Sequence, residues 1–191
     1  MRQHILDTAR PIIVGKGFAA VGLNEILTAA GIPKGSFYHY FASKENFGEE
    51  LLESYFAEYQ QNLDQLLFHQ PGTGAQRLMS YWDAWQRSQS DRSLEHKCLA
   101  VKLGAEVCDL SDSMRAVLKR GTSRLITTLS TCIEEGVSDG SLTGITDAHI
   151  TGAQLYELWL GATLLEKIHR DGYSFEVAMS STRRILHLPE K

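Results

Sequence analysis

The stretch that decides the fold is residues 18–45, which read FAAVGLNEILTAAGIPKGSFYHYFASKE. Within it, an apolar segment over residues 23–30 ends at Gly31, and Pro33 separates it from a second segment that begins at Lys34. Gly31 can adopt the positive φ that a tight reversal between two helices requires. The stretch therefore predicts a helix, a tight turn and a second helix.

The second of these helices carries side chains suited to the major groove of DNA. The groove is about 12 Å wide, and a recognition helix enters it with its N-terminal residues foremost, so small, polar or basic side chains are expected there. Lys34, Gly35 and Ser36 meet this demand, and Tyr38 and His39 follow on one face. The alternative is that the aromatic residues of this segment only pack on a short helix.

Residues 18–45 resemble the DNA-binding signature of the TetR family of transcriptional regulators. The resemblance implies an all-α, TetR-like fold, with an N-terminal three-helix helix-turn-helix domain over residues 1–48 and a C-terminal helical domain for effector sensing and dimerisation over residues 49–191. Gly22 departs from the family pattern, which usually has a threonine or serine helix cap there. By the same resemblance, the residues at DNA-contacting positions are Asn24, Lys34, Gly35, Ser36, Tyr38, His39 and Lys44.

The rest of the chain is predicted to be helical, with no sheet. Glycine and proline fall between apolar segments of helical period rather than inside them. Ser43 and Ser174 are candidate N-caps because a serine hydroxyl can accept a hydrogen bond from a free N–H of the first turn. The expected helices span residues 2–15, 23–30, 34 onward, 43–68, 75–90, 112–137, 147–170 and 174–187.

The composition is that of a folded globular protein, with 43% hydrophobic and 22% charged residues. The sequence has neither a signal peptide nor an apolar run of membrane-spanning length, so a cytoplasmic protein without membrane contact is expected. Because the net charge is −4, any DNA-binding surface must be local. The three cysteines lack CxxC spacing and the seven histidines lack HxxxH spacing, so no metal and no cofactor are predicted.

Specific DNA binding requires a second copy of the chain. One recognition helix touches only a few base pairs, and a dimer places the second helix about 34–36 Å away, one DNA turn, or a multiple of that distance. By resemblance to the family, the last two helices form the homodimer interface, although a helix buried within one domain would show the same pattern. The apolar face of the first of these helices comprises Leu155, Leu158, Trp159, Ala162 and Leu165.

Residues 98–111, CLAVKLGAEVCDLS, together with residues 158–162, resemble an electrophile-responsive subgroup of the family, the N-ethylmaleimide repressor (NemR) subgroup. Neighbouring cations lower the pKa of a thiol and make it reactive, and His96 and Lys97 directly precede Cys98. Cys98 is therefore the candidate for modification by electrophiles or oxidants. The resemblance makes Lys167 a candidate partner of Cys98. Cys132 is expected to be a small buried hydrophobe, and Cys108, beside the acidic Glu106 and Asp109, is expected to be structural rather than sensing.

A noncovalent small-molecule effector is the competing hypothesis for the sensor. Aromatic residues could line an apolar pocket between helices, although aromatic residues at helical spacing more often form core. The candidates are Tyr81, Trp82, Trp85, Tyr156 and Trp159.

Two other classes of function would rely on different residues. An enzyme would use a cysteine nucleophile or a histidine base, but the sequence has no motif that supports one, and no glycine-rich phosphate loop. A pure protein-interaction module would use the apolar last helices and bind no palindromic DNA. The sequence therefore predicts a repressor that is not an enzyme.

Overall fold

A computed structural model of the chain describes residues 1–90 and 98–189. Within these ranges the chain forms nine α-helices and no strand, which confirms the predicted all-α fold. The helices are α1 (Arg2–Lys16), α2 (Leu23–Ala30), α3 (Lys34–Tyr40), α4 (Lys44–Phe68), α5 (Gly74–Ser90), α6 (Leu99–Leu110), α7 (Asp112–Ser138), α8 (Ala148–His169) and α9 (Tyr173–Ile185).

The chain divides into two compact units. Unit 1 comprises Met1–Glu58 and Arg92–Thr122, and unit 2 comprises Tyr59–Asp91 and Ser123–Lys191. Unit 1 therefore contains α1 to α3, the first part of α4, α6 and the first part of α7. The domain boundary at residue 48, drawn from sequence, stays a prediction.

The core of unit 1 is built on aromatic side chains that hold α3 in place. Phe37, Phe41 and Phe47 are all fully buried. Their ring centroids lie 5.1 Å apart for Phe37 and Phe41, 5.1 Å for Phe41 and Phe47, and 5.6 Å for Phe37 and Phe47. Ile26 and Ala30 of α2 are buried as well. These side chains form a small core behind the turn between α2 and α3, and Ile32 in that turn is half-buried.

The turn between α2 and α3 has the conformation that the sequence predicts. Gly31 lies in the left-handed region at φ 64°, which a residue without Cβ adopts at little cost. Its N–H donates to carbonyls at the end of α2. The predicted cap of α4 is also confirmed, because the Ser43 hydroxyl accepts a hydrogen bond of 3.0 Å from the N–H of Asn46.

The predicted cap of the last helix was wrong. α9 begins at Tyr173, one residue before the predicted Ser174, and Gly172 takes the N-cap position at φ 80°. Ser174 is buried inside the first turn. The chain can turn at Gly172 because glycine tolerates a positive φ, and the serine pattern did not reveal this.

The core of unit 2 is built on tryptophans. Trp82 of α5 stacks on Trp159 of α8 with ring centroids 5.0 Å apart and an interplanar angle of 8°. The indole N–H of Trp159 donates to the Thr182 hydroxyl at 2.9 Å, and that of Trp85 donates to the Thr163 hydroxyl at 2.9 Å. These hydrogen bonds compensate for burying two polar N–H groups.

Candidate DNA-binding surface and sensor residues

Helix α3 presents polar side chains outward from one buried anchor. Phe37 is fully buried, whereas Tyr38 is 48% exposed. Lys34, Gly35 and His39 are exposed and Ser36 is half-buried. The predicted recognition residues of α3 therefore share an accessible surface. Asn24 of α2, which was also predicted to contact DNA, is exposed as well.

The aromatic residues of α3 do not form a core of their own. Tyr38 meets Phe37 edge to face at 5.5 Å, and the Lys34 ammonium lies 5.9 Å from the centre of the Tyr38 ring. His39 and Tyr40 form a T-shaped pair at 4.9 Å, and Tyr40 is 37% exposed. Phe37 is the buried residue of α3, and contact of Tyr38 and His39 with DNA, rather than aromatic packing alone, stays a prediction.

Lys44 has an intramolecular partner. Its ammonium donates a hydrogen bond of 2.9 Å to the carbonyl oxygen of Phe18 and lies 4.8 Å from the centre of the Phe18 ring. Burial lowers the pKa of Lys44, and the negative charge of Glu106 opposes that shift. Lys44 therefore braces the connection before α2, and its predicted contact with DNA phosphate stays a prediction.

Sequence analysis assigned no role to Glu106, which the structure brings to the same connection. The Glu106 carboxylate accepts hydrogen bonds from the backbone N–H groups of Phe18 at 3.2 Å and Ala19 at 2.6 Å. Phe18 and Glu106 are 88 residues apart. No local pattern reports a contact over such a separation, so only the fold reveals it.

The three cysteines lie in different surroundings. Cys98 is the N-cap residue of α6 and is 3% exposed. Cys108 is half-buried. Cys132 is fully buried, as predicted, and burial raises the pKa of its thiol to about 12. The predicted cationic neighbours of Cys98, His96 and Lys97, lie outside the described residues.

The aromatic candidates for an effector site are core residues of unit 2. Trp82 and Trp159 are fully buried, Tyr156 is 2% exposed and Trp85 is 4% exposed. Within the described residues the indole N–H of Trp82 has no hydrogen-bond partner. Lys167 is exposed on α8. Contact of these residues with an effector stays a prediction, as does the pairing of Lys167 with Cys98.

The predicted apolar face of α8 separates into two parts. Leu155, Trp159 and Ala162 are buried within unit 2 and belong to its core, whereas Leu165 is 47% exposed. A groove of about 410 Å³ runs between α8 and α9 and includes Leu158 in its lining. The exposed large apolar residues that line the groove are Leu165, Tyr173 and Val177, and Leu164 and Ile168 are exposed elsewhere on α8.

Residues 1–90 and 98–189 hold neither a metal-binding cluster nor a membrane-spanning helix. No group of three His, Cys, Asp or Glu side chains there could hold a metal ion. No helix in these ranges is long and apolar enough to cross a membrane.

The fold and the exposed α3 surface define a helix-turn-helix protein, the class that binds DNA through a short exposed helix. The chain belongs to the TetR family of bacterial regulatory proteins. Residues 5–51 match the family's N-terminal model, "Bacterial regulatory proteins, tetR family", and residues 74–182 match the model "Tetracyclin repressor-like, C-terminal domain". The predicted family and helix-turn-helix are thereby confirmed.

Individual members of the family show which repressors the chain resembles. The chain is 39% identical to the HTH-type transcriptional repressor NemR of Escherichia coli (strain K12), over 98% of this chain and 94% of that protein. The crystal structure of the reduced form of E. coli NemR superposes with a TM-score of 0.93, covering 100% of this chain and 98% of that chain. The HTH-type transcriptional repressor DhaR of Mycobacterium sp. (strain GP1) is 29% identical, over 90% of this chain and 84% of that protein. The resemblance to NemR is confirmed, and the family assignment sets the enzyme hypothesis aside.

Cys132 is expected to resist alkylation in the folded protein. A pKa of about 12 keeps its thiol protonated at neutral pH, and burial blocks access. Peptide mapping after brief N-ethylmaleimide treatment at pH 7 is expected to show Cys108 labelled and Cys132 unmodified, with both labelled in denaturant. Equal labelling of the two cysteines in the folded protein would contradict this.

The raised pKa of Cys132 also predicts a pH dependence of stability. Because the Cys132 thiol ionises at lower pH in the unfolded chain than in the folded protein, the free energy of unfolding is expected to fall as pH rises from about 9 toward 12.

Proposed function

We propose that this protein is a transcriptional repressor that binds palindromic operator DNA as a homodimer and leaves it when an effector acts. The observation that carries the proposal is the exposure of Lys34, Tyr38 and His39 on a helix anchored by the buried Phe37. Repression rather than activation is supported by the relatives, since NemR and DhaR are both named repressors. A protein with this partner acts where the DNA is, in the cytoplasm.

The DNA contacts divide by chemistry. Lys34 and Lys44 supply cations for phosphate oxygens, which fix the position of the protein on the duplex. Tyr38 and His39 present polar groups and ring edges that can reach base edges or the backbone in the major groove. The small side chains of Gly35 and Ser36 let the start of α3 approach the groove closely. Asn24 of α2 contributes a polar contact beside them.

A second copy of the chain is the proposed occupant of the α8–α9 face. Leu165, Tyr173 and Val177 line one groove and are 47%, 66% and 42% exposed, and a contiguous exposed apolar face is unfavourable in water. A second copy covers this face with the same face of its own and supplies the second recognition helix that a palindromic site needs. The homodimer therefore forms through the two C-terminal helices.

Cys98 is the proposed point of effector action. It occupies the N-cap of α6, where the positive end of the helix dipole favours a thiolate. Addition to a quinone-like or maleimide electrophile forms a bond from Sγ to carbon and returns the thiol proton to the neighbouring carbon, so no other reactant is needed. Because Cys98 is only 3% exposed, the adduct must displace its neighbours, and α6 cannot keep its place.

A noncovalent effector is the second candidate. The observation that favours it is the buried indole N–H of Trp82, which lacks a hydrogen-bond partner within the described residues. An apolar or aromatic ligand with one acceptor would satisfy that donor and contact Trp85, Tyr156 and Trp159. No cofactor is required in either case.

Replacing Lys34 with alanine is expected to weaken binding to DNA upstream of the protein's own gene and to reduce the slope of log affinity against log salt by about 1, because one phosphate contact is lost. Fluorescence anisotropy across a salt series measures both. Lys119→Ala is the matched control, since Lys119 is an exposed lysine of α7. Identical slopes for the two variants would exclude a phosphate contact at Lys34.

Replacing Leu165 with glutamate is expected to convert the dimer into a monomer of 21.3 kDa and to abolish tight operator binding, because a charge is then buried in the interface. Sedimentation velocity gives the mass, and anisotropy gives the affinity. Val137→Glu is the control, since Val137 is 44% exposed at the end of α7. A dimeric Leu165→Glu protein would refute the α8–α9 interface.

Treatment with N-ethylmaleimide is expected to lower the operator affinity of the wild type about tenfold or more and to leave Cys98→Ser unchanged, because the sensing thiol is absent. Cys108→Ser controls for the half-buried thiol and is expected to respond as the wild type does. An equal loss of operator affinity in the wild type and Cys98→Ser would show that another thiol is the sensor. If neither protein loses affinity, the noncovalent effector is favoured.

A further inference from the structure

The connection between α1 and α2 has little support of its own. Gly17 ends α1 at φ 98°, and Gly22 stands at the N-cap of α2 without a side chain to accept a hydrogen bond. The backbone N–H groups of Phe18 and Ala19 lie between them, beyond the end of α1. A loop with glycine at both ends loses more conformational entropy on ordering than most loops do. Contacts with other elements are therefore needed to keep it in one conformation.

Glu106 of α6 supplies that support through a two-pronged contact. One carboxylate oxygen accepts from the N–H of Phe18 at 3.2 Å, and the other accepts from the N–H of Ala19 at 2.6 Å. Hydrogen bonds to an ionised acceptor are about twice as strong as neutral ones. A Cβ at Gly17 would meet one of these oxygens at 3.0 Å, so the carboxylate lies directly against the backbone.

The same connection is tied to the start of α4. Lys44 donates to the carbonyl oxygen of Phe18 at 2.9 Å, so Phe18 is held through its N–H by α6 and through its C=O by α4. The charge of Glu106 also acts on Lys44, because it opposes the lowering of the Lys44 pKa by burial. Phe18 therefore links the connection between α1 and α2 to both α6 and α4.

A second set of contacts ties the C-terminal end of α6 and the start of α7 to the first turns of α4. Ser111 caps α6 and donates to Glu45 in the first turn of α4, and Ser113 donates to Glu49 at 2.7 Å. Lys102 adds a hydrogen bond of 3.4 Å to the carbonyl of Gly15 at the end of α1. Helix α6 thus contacts the chain on both sides of the helix-turn-helix, before α2 and after α3.

We propose that Glu106 is a positioning residue for the helix-turn-helix, through which the placement of α6 sets the placement of α2 and α3. The proposal rests on the proposed DNA-binding function for its consequence, but the contact itself is independent of DNA. Displacement of α6 withdraws the carboxylate from both N–H groups at once. The connection then loses its external support, and α2, which has no side-chain cap at Gly22, loses its fixed start.

Glu106→Gln tests the proposal at constant side-chain size. Glutamine presents one oxygen and one NH₂ group, so it can accept from only one of the two N–H groups and sets a donor against the other. Asp109→Asn is the matched control because it removes the same charge from the same helix at an exposed position.

The measurements are operator affinity and backbone amide exchange over residues 17–22. Glu106→Gln is expected to bind operator DNA about fivefold or more weakly than the wild type and to exchange the Phe18 and Ala19 amides faster. Asp109→Asn is expected to match the wild type in both.

Three outcomes would overturn the proposal. Equal operator affinity and equal amide exchange in Glu106→Gln and Asp109→Asn would show that the Glu106 carboxylate does not position the helix-turn-helix. Faster exchange spread through all of unit 1, with a lowered melting temperature, would show a general structural role instead. Faster exchange confined to 17–22 with unchanged affinity would show that the connection does not place α2 and α3. Failure of the wild type itself to bind upstream DNA would instead refute the proposed function, and the amide exchange would still decide whether Glu106 holds the connection.

Discussion

The burial of Phe37 is the interaction on which the DNA-binding surface depends. Helix α3 has seven residues, and an isolated helix of that length is not stable in water. Its place is fixed because Phe37 packs against Phe41 and Phe47, with ring centroids between 5.1 and 5.6 Å apart. Since one anchor holds the helix, the remaining side chains of α3 are available to a partner. The same constraint gives the protein both a rigid recognition element and a polar surface.

Local features of this fold could be predicted from the sequence because their signals are local. Gly31 marks the turn because few other residues adopt its φ of 64°, and Ser43 marks the start of α4 by its hydrogen bond to Asn46. The cap of α9 could not be predicted, because Gly172 and Ser174 are both acceptable cap residues and the local sequence does not distinguish them. Helical period likewise could not separate the buried Trp159 from the exposed Leu165.

The parts that sequence could not supply are the long-range contacts. Glu106 and Phe18 are 88 residues apart, and nothing near either residue indicates the other. The structure shows that Cys98, chosen from sequence as the sensing thiol, begins the same helix that carries Glu106. Cys98 and Glu106 are eight positions apart, about 12 Å along the helix at 1.5 Å per residue. A rigid helix of this length joins the proposed site of modification to the connection that positions the helix-turn-helix.

A hydroxyl-radical footprint of the wild type on its upstream DNA shows whether α3 is the recognition helix of a dimer on palindromic DNA. Such a dimer is expected to protect two symmetric patches whose centres lie one DNA turn apart, about 10–10.5 base pairs, or a multiple of that spacing. A single patch without a symmetric mate, or no protection at protein concentrations where the dimer is formed, would contradict it.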